Sequence, residues 1–233
     1  MVSPLQIEIS KQPDDRTCGP TCLHAIYRYY DDAISLEKVI AQVRSFKEGG
    51  TQAVFLACHA LQRGYKARVY TYNLQLFDPT WLSGQGVDLA ERLRLQLQHK
   101  PDARIAMATE GYLEFLALGG ELQFRDMSPN LIKRYLHRGV PILTGLSATY
   151  LYKCPREYGS TDDYDDIRGE PVGHFVVLCE YQRKRKRILV ADPYRANPLS
   201  ADHYYHVGVG RLIHSILLGI VTYDANLLII EPQ

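Results

Sequence analysis

Cys18 heads an apolar run, Cys18 to Tyr30, with Gln12 six residues before it and Gly19-Pro20-Thr21 directly behind. The run reads as a helix. A thiol at a helix N-terminus meets the positive end of the macrodipole, which favours the nucleophilic thiolate. A glutamine just upstream offers its side-chain amide to a developing oxyanion. These residues form the front half of a cysteine hydrolase site. The back half requires a histidine base and an orienting residue elsewhere in the chain.

Residues 173–181 supply a candidate base. Gly173-His174-Phe-Val-Val-Leu-Cys-Glu-Tyr181 reads as a buried strand with a histidine at its start. A charged turn from Gln182 to Arg187 follows, and then a second strand, Ile188 to Ala191, ends in Asp192-Pro193. Antiparallel strands joined by a short turn bring the start of one beside the end of the other. His174 and Asp192 become candidate neighbours on that argument, although the turn alone does not set which faces they use. In such a site the imidazole takes the thiol proton and returns it to the leaving amine. The carboxylate holds the ring in the useful tautomer, and the Gln12 amide with the Cys18 backbone N–H meets the oxyanion. Gly19 would leave room for a substrate backbone.

The pattern Gln-x5-Cys-Gly-Pro-Thr, then Gly-His-Phe-Val-Val-Leu, then Val-Ala-Asp-Pro-Tyr resembles the C39-like cysteine peptidases of the papain-like superfamily. The order Gln, Cys, His, Asp matches as well. The resemblance implies Cys18 as nucleophile, His174 as base, Asp192 as orienter and Gln12 as oxyanion donor. It also implies one papain-like domain over residues 1–233. A helical lobe over about 1–138 would carry the cysteine at a helix start, and an antiparallel sheet lobe over about 139–233 would carry His and Asp.

The elements themselves give an α+β reading. Thr17 is placed to cap the first helix. Ser35 can cap a helix from Leu36 to Phe46 before Gly49-Gly50, and Thr51 one from Gln52 to Arg63 that stops at Gly64. Tyr65 to Tyr72 alternates like a strand. Helices are expected near 85–98 and 108–117, the second broken by Gly119-Gly120. Ser128-Pro129 opens another that runs to His137. Beyond it the character changes: strands at 140–146, 172–181, 187–192 and 227–231, and a short helix from Val209 to Gly219.

Bulk composition excludes several function classes. With 233 residues, 46% of them hydrophobic, the chain can bury one sizeable core and has room for two lobes. Its 27 basic and 26 acidic residues nearly cancel, so no overall field draws it to nucleic acid or membrane. The start, Met1 to Glu8, lacks the basic and apolar segments of a signal peptide. The apolar patch around Leu217 to Val221 is far short of a membrane span. Five cysteines, an odd number without disulfide-framework spacing, point to a reducing cytoplasm.

Other chemistry-bearing residues favour ordinary roles. Cys18 and Cys22 share a helix face at i, i+4, but no second pair completes a metal site, so Cys22 reads as core. Asp202-His203-Tyr-Tyr-His206 is a weak metal candidate and reads better as a surface turn. Arg183 to Arg187 reads as a solvated hairpin turn rather than a nucleic-acid patch. Asp162-Asp-Tyr-Asp-Asp166 sits in a long irregular stretch, Cys154 to Val172, and reads as a solvated loop or as a lid selecting a basic substrate group. The 17 tyrosines read as core and groove walls. The reading is therefore a hydrolase acting on a peptide or amide bond, with no metal or organic cofactor, no nucleic-acid or membrane partner, and oligomeric state left open. Two alternatives remain. One is an acyltransferase or transpeptidase using the same Cys-His-Asp site, and the other a catalytically silent peptide-binding module.

Overall fold

The computed structural model describes residues 4–46, 50–83, 86–159, 163–223 and 225–233. In chain order the elements are α1 (Cys18–Tyr29), α2 (Leu36–Gln42), α3 (Ala53–Gln62), β1 (Lys66–Thr71), α4 (Pro79–Ser83), α5 (Leu89–His99), α6 (Ala103–Ala117), β2 (Glu121–Gln123), α7 (Pro129–Leu136), β3 (Ile142–Ser147), α8 (Ala148–Tyr152), β4 (Glu157–Tyr158), β5 (Asp163–Tyr164), β6 (Gly173–Gln182), β7 (Arg187–Ala191), β8 (Tyr204–Gly208), α9 (Val209–Leu218), a 3₁₀ turn (Gly219–Thr222) and β9 (Asn226–Glu231). The fold is α+β, with a mostly helical first half and a large, mainly antiparallel sheet.

Among the described residues the main sheet runs β2-β1-β9-β3-β6-β7-β8. All neighbours pair antiparallel except β1 with β2. Two of its strands, β1 and β2, therefore come from the helical half. Helices cover both faces of this sheet, and alternation along the strands divides the core accordingly. Phe175, Val177, Leu228 and Ile230 face α1, α3, α5 and α6, whereas Val176, Leu178, Leu227 and Ile229 face α7, α8 and α9. Each such side chain contributes about 1.5–3 kcal/mol when fully buried. Helices as short as α2 and α8 are stable because of this packing rather than intrinsic propensity.

The helix starts show where local chemistry is decisive. Ser35, Asp88, Asp102 and Ser128 accept from backbone N–H groups at the starts of α2, α5, α6 and α7. Thr17 and Thr51, expected as caps, do something else. The Thr17 hydroxyl donates to the Asp14 carbonyl at 3.2 Å, and the Thr51 hydroxyl to the Arg44 carbonyl at 2.7 Å. In both places the hydroxyl ties down the preceding loop. Helix α2 stops at Gln42, four residues before the expected Phe46, because Val43 turns extended.

The elements α4, β2, α8, β4, β5, β8 and the 3₁₀ turn are absent from the sequence reading. Residues 202–206 are expected as a surface turn, but Tyr204 to His206 belong to β8, which pairs with all of β7 from Arg187↔Gly208 to Ala191↔Tyr204. The stretch after Cys154 contains a small hairpin, β4–β5. Within it Asp165 pairs with Arg168 at 2.6 Å, so one carboxylate of the acidic run is neutralised by its own turn. Gly49 and Asp162 lie outside the described residues.

Candidate active site

The register of the β6–β7 hairpin places the first pair. Val177 opposes Ala191. Continuing the ladder one step sets Asp192 opposite Val176, with His174 two residues further along the same face. The diagonal geometry closes a hydrogen bond in which His174 Nε2–H donates to Asp192 Oδ1 at 2.8 Å. The intervening turn, residues 183–186, is exposed and does not enter this geometry.

Asp192 is fully buried, yet each oxygen has partners. Besides His174, Oδ1 accepts the Tyr194 N–H at 2.9 Å. Oδ2 accepts the Tyr152 hydroxyl at 2.6 Å and the Tyr205 hydroxyl at 2.7 Å. The main chain of Asp192 is pinned as well. Its N–H donates to the His203 carbonyl at 2.8 Å, and its carbonyl accepts from His203 Nδ1 at 2.7 Å. Burial works against the charged carboxyl, but His174 and the two hydroxyls outweigh it and hold Asp192 below the usual carboxylate range.

His174 is 7% exposed. Burial disfavours its cation, but the Asp192 charge and hydrogen bond, with a further hydrogen bond to Cys18, raise it well above the ordinary imidazole value. With Nε2 committed to Asp192, Nδ1 is the nitrogen left to face the thiol. The ring also sits between two tyrosines, with centroids at 6.1 Å from Tyr152 and 6.4 Å from Tyr194.

Cys18 is half-buried at the first position of α1. The helix reaches His174 because α1 packs on β6. Cys22, one turn below, is buried and donates its Sγ–H to the Phe175 carbonyl at 3.2 Å, which pins α1 to the residue after the histidine. Gly19 has a packing role instead of the substrate clearance expected of it. A Cβ there would fall 2.7 Å from Thr51 Cγ2 and 3.2 Å from Phe175 Cδ2, so the missing side chain lets α1 approach α3 and β6.

Gln12 is 6% exposed. Its backbone N–H donates to the Pro193 carbonyl at 3.1 Å, joining the loop before α1 to the residue after Asp192. Its side-chain Oε1 is buried without a hydrogen-bond partner among the described residues, and such an orphan needs an explanation. The extended segment leading to it runs along the sheet. The Tyr204 hydroxyl donates to the Ile7 carbonyl at 2.8 Å and accepts the Ile9 N–H at 3.2 Å, and Leu5 N–H reaches the Cys179 carbonyl at 3.2 Å.

The structure thus bonds His174 to Asp192, sets the Cys18 thiol near enough to act on the imidazole charge, and tethers Gln12 to the residue after Asp192. Sequence reasoning missed Tyr152, Tyr205 and His203. The alternation Tyr204-Tyr-His-Val207 was the available signal for β8 and its inward Tyr205, whereas nothing local marked Tyr152. No group of three or more His, Cys, Asp or Glu side chains suited to a metal occurs among the described residues, where His203 binds main chain and His206 pairs with Gln182 and Glu180.

Residues 6–83 match the model of the Peptidase C39 family. Comparison with curated proteins returns no match. Among solved structures, a candidate C39-like peptidase from Bacillus anthracis is similar with a TM-score of 0.53 at 13% identity, covering 100% of this chain and 99% of its own. The peptidase domain of Streptococcus ComA, a bi-functional ABC transporter, has a TM-score of 0.45 at 12% identity, covering 98% of this chain and 100% of that one. A double glycine motif protease from an AMS/PCAT transporter, solved with its leader peptide, has a TM-score of 0.47 at 13% identity and full coverage of both chains. In its motifs, in the family model over residues 6–83 and in its fold, the protein is similar to the C39-like peptidases, and that likeness supports a peptidase role.

Proposed function

We propose that the protein is a cysteine hydrolase that cleaves a peptide or amide bond through a thioester, with residues 1–233 acting as one domain. The observation that carries the reading is the His174–Asp192 pair, a buried carboxylate 2.8 Å from the imidazole, with the Cys18 thiol at a helix start near enough to act on the charge of that ring. In this reading the Cys18 proton moves to His174 and the thiolate attacks the substrate carbonyl carbon. The resulting oxyanion is met by the Cys18 backbone N–H and the Gln12 amide N–H. Collapse expels the amine, which takes the proton from His174 and leaves the acyl group on sulfur. Water, losing a proton to His174, then releases the acid and regenerates the thiol. The orphan Gln12 Oε1 fits this role, since an amide turned with its oxygen inward has its N–H₂ left for a ligand.

All five cysteines are free thiols, which supports work in a reducing compartment such as the cytoplasm. Among the described residues no helix is long and apolar enough to cross a membrane. The test needs no substrate: brief iodoacetamide labelling at neutral pH followed by peptide mapping. Cys18 should label well ahead of Cys58 and Cys154, and His174→Ala should remove that lead. Equal labelling of all three thiols would rule the reading out.

A further inference from the structure

The Asp192 carboxylate is held from more directions than a single histidine partner requires. A carboxylate can turn about its Cβ–Cγ bond unless its two oxygens see different neighbours. Here they do. Oδ2 accepts two hydroxyls, from Tyr152 at 2.6 Å and Tyr205 at 2.7 Å, which leaves Oδ1 for the imidazole and the Tyr194 N–H. The two tyrosines come from separate elements, α8 and β8, and converge on the same oxygen. Both rings are almost fully buried, at 9% and 6% exposure, among apolar side chains where phenylalanine would pack as well. The hydroxyls therefore answer to the carboxylate rather than to the core.

The groups facing Asp192 can all be named. His174 arrives from β6, Tyr152 from α8, Tyr205 from β8, Cys22 from α1, and Tyr194 and His203 from the loop that follows Asp192 itself. His174 is the one member of this set that supplies positive charge to the side chain. When the ring is neutral its Nε2–H still donates to Oδ1, but without positive charge, and the tyrosine hydroxyls and the Tyr194 N–H supply the other hydrogen bonds to the buried anion.

We propose that Tyr152 and Tyr205 are positioning residues for the Cys18–His174 pair: together they hold Asp192 ionised with Oδ1 turned to His174, so that the opposite edge of the ring stays on the thiol. This rests on the reading of Cys18 as nucleophile. It predicts that the two phenols set the pH range over which the thiol is reactive. Without them Asp192 takes up a proton at higher pH, the imidazolium loses its counter-charge, and the thiolate paired with it is depleted from the acid side.

The experiment is the pH profile of Cys18 alkylation by iodoacetamide, read by peptide mapping, in the full chain and in Tyr152→Phe, Tyr205→Phe and the double variant. Each is made in the native sequence and in Asp192→Asn. We expect each single change to slow Cys18 labelling at neutral pH by several-fold and the double change by about tenfold or more, in line with hydrogen bonds to a charged group. The acid limb should move upward in pH. In Asp192→Asn the same substitutions should add nothing, because their route to Cys18 is gone. An unshifted acid limb in a double variant with native circular dichroism would overturn the proposal. So would an equal loss in the Asp192→Asn background, which marks a structural role. Should the double variant not fold, the two singles decide by the same criteria. If Cys18 in the native chain labels no faster than Cys58 and Cys154, the nucleophile reading falls and the proposal with it. If Cys18 is fast and depends on His174 while the tyrosine variants behave like the native chain, the tyrosine proposal alone falls.

Discussion

On the His174–Asp192 side of the candidate site, every oxygen of the carboxylate and both main-chain groups of Asp192 have partners. On the Gln12–Cys18 side, the Gln12 oxygen is buried without one, Thr17 does not cap α1, and the thiol is half-buried. The first side is finished before any ligand arrives. The second keeps donors in hand. In the proposed mechanism this division is useful: a base must be oriented in advance, whereas oxyanion donors act on charge that exists only during reaction. The contrast also separates the two kinds of damage that substitutions should cause.

Removing the nucleophile gives the largest effect. Cys18→Ala should abolish turnover and the fast thiol label together while the fold persists, as measured by circular dichroism. Next come changes on the finished side. His174→Ala should lower kcat by about 10²–10⁴, the range of general acid–base contributions. Asp192→Asn should approach the same loss by turning the imidazole to the wrong tautomer. Both should also slow alkylation of Cys18. Gln12→Ala sharpens the comparison, because it should lower kcat by about 10²–10³ while leaving alkylation unchanged, since iodoacetamide develops no oxyanion at a carbonyl. A Gln12→Ala protein that alkylates slowly would show that the two sides are not separate.

Stability should separate them too. Asp192 sits below the ordinary carboxylate value of 3.8, so its contribution is present above that pH and lost as pH falls through its native value. His174 is raised from 6.5, so its contribution is full below 6.5 and fades as pH rises towards its native value of about 10. Thermal melts should therefore show a Tm maximum between these limits that flattens in Asp192→Asn and persists in Gln12→Ala. The smallest effect is in packing. Gly19→Ala should cost about 1–3 kcal/mol by crowding Thr51 and Phe175, read as a lowered denaturation midpoint.

Much of this was legible in the sequence, for reasons that differ by residue. Strands β3, β6, β7 and β9 announced themselves as apolar runs between turns, and Ser128-Pro129 marked the start of α7 because cap and first-turn preferences are local. The alliance of His174 with Asp192 followed from hairpin topology. Its shared face did not, because parity depends on the register, here Val177 against Ala191. Strand β8 was hidden by Asp202 and His203, whose polar side chains read as a turn although the next residues pair with β7. Tyr152 was out of reach of any local rule. Its partner lies 40 residues away, and helix α8, only five residues long, exists because of what it packs against. Thr17 and Thr51 read as caps because their hydroxyls compete for carbonyls and N–H groups alike, and tertiary geometry chose the carbonyls.

The exposed turn at 183–186 carries a practical consequence. The coupling of His174 to Asp192 is transmitted across the ladder, not along the chain, so their sequence separation of 18 is a distance the molecule never measures. Chain length in that turn is free to change, whereas a single-residue deletion inside β6 between the histidine and Val177 would turn the imidazole to the opposite face. The basic hairpin tip is thus a natural port for grafting a reporter or an affinity handle, placed only a hairpin's length from the candidate chemistry yet outside its wiring.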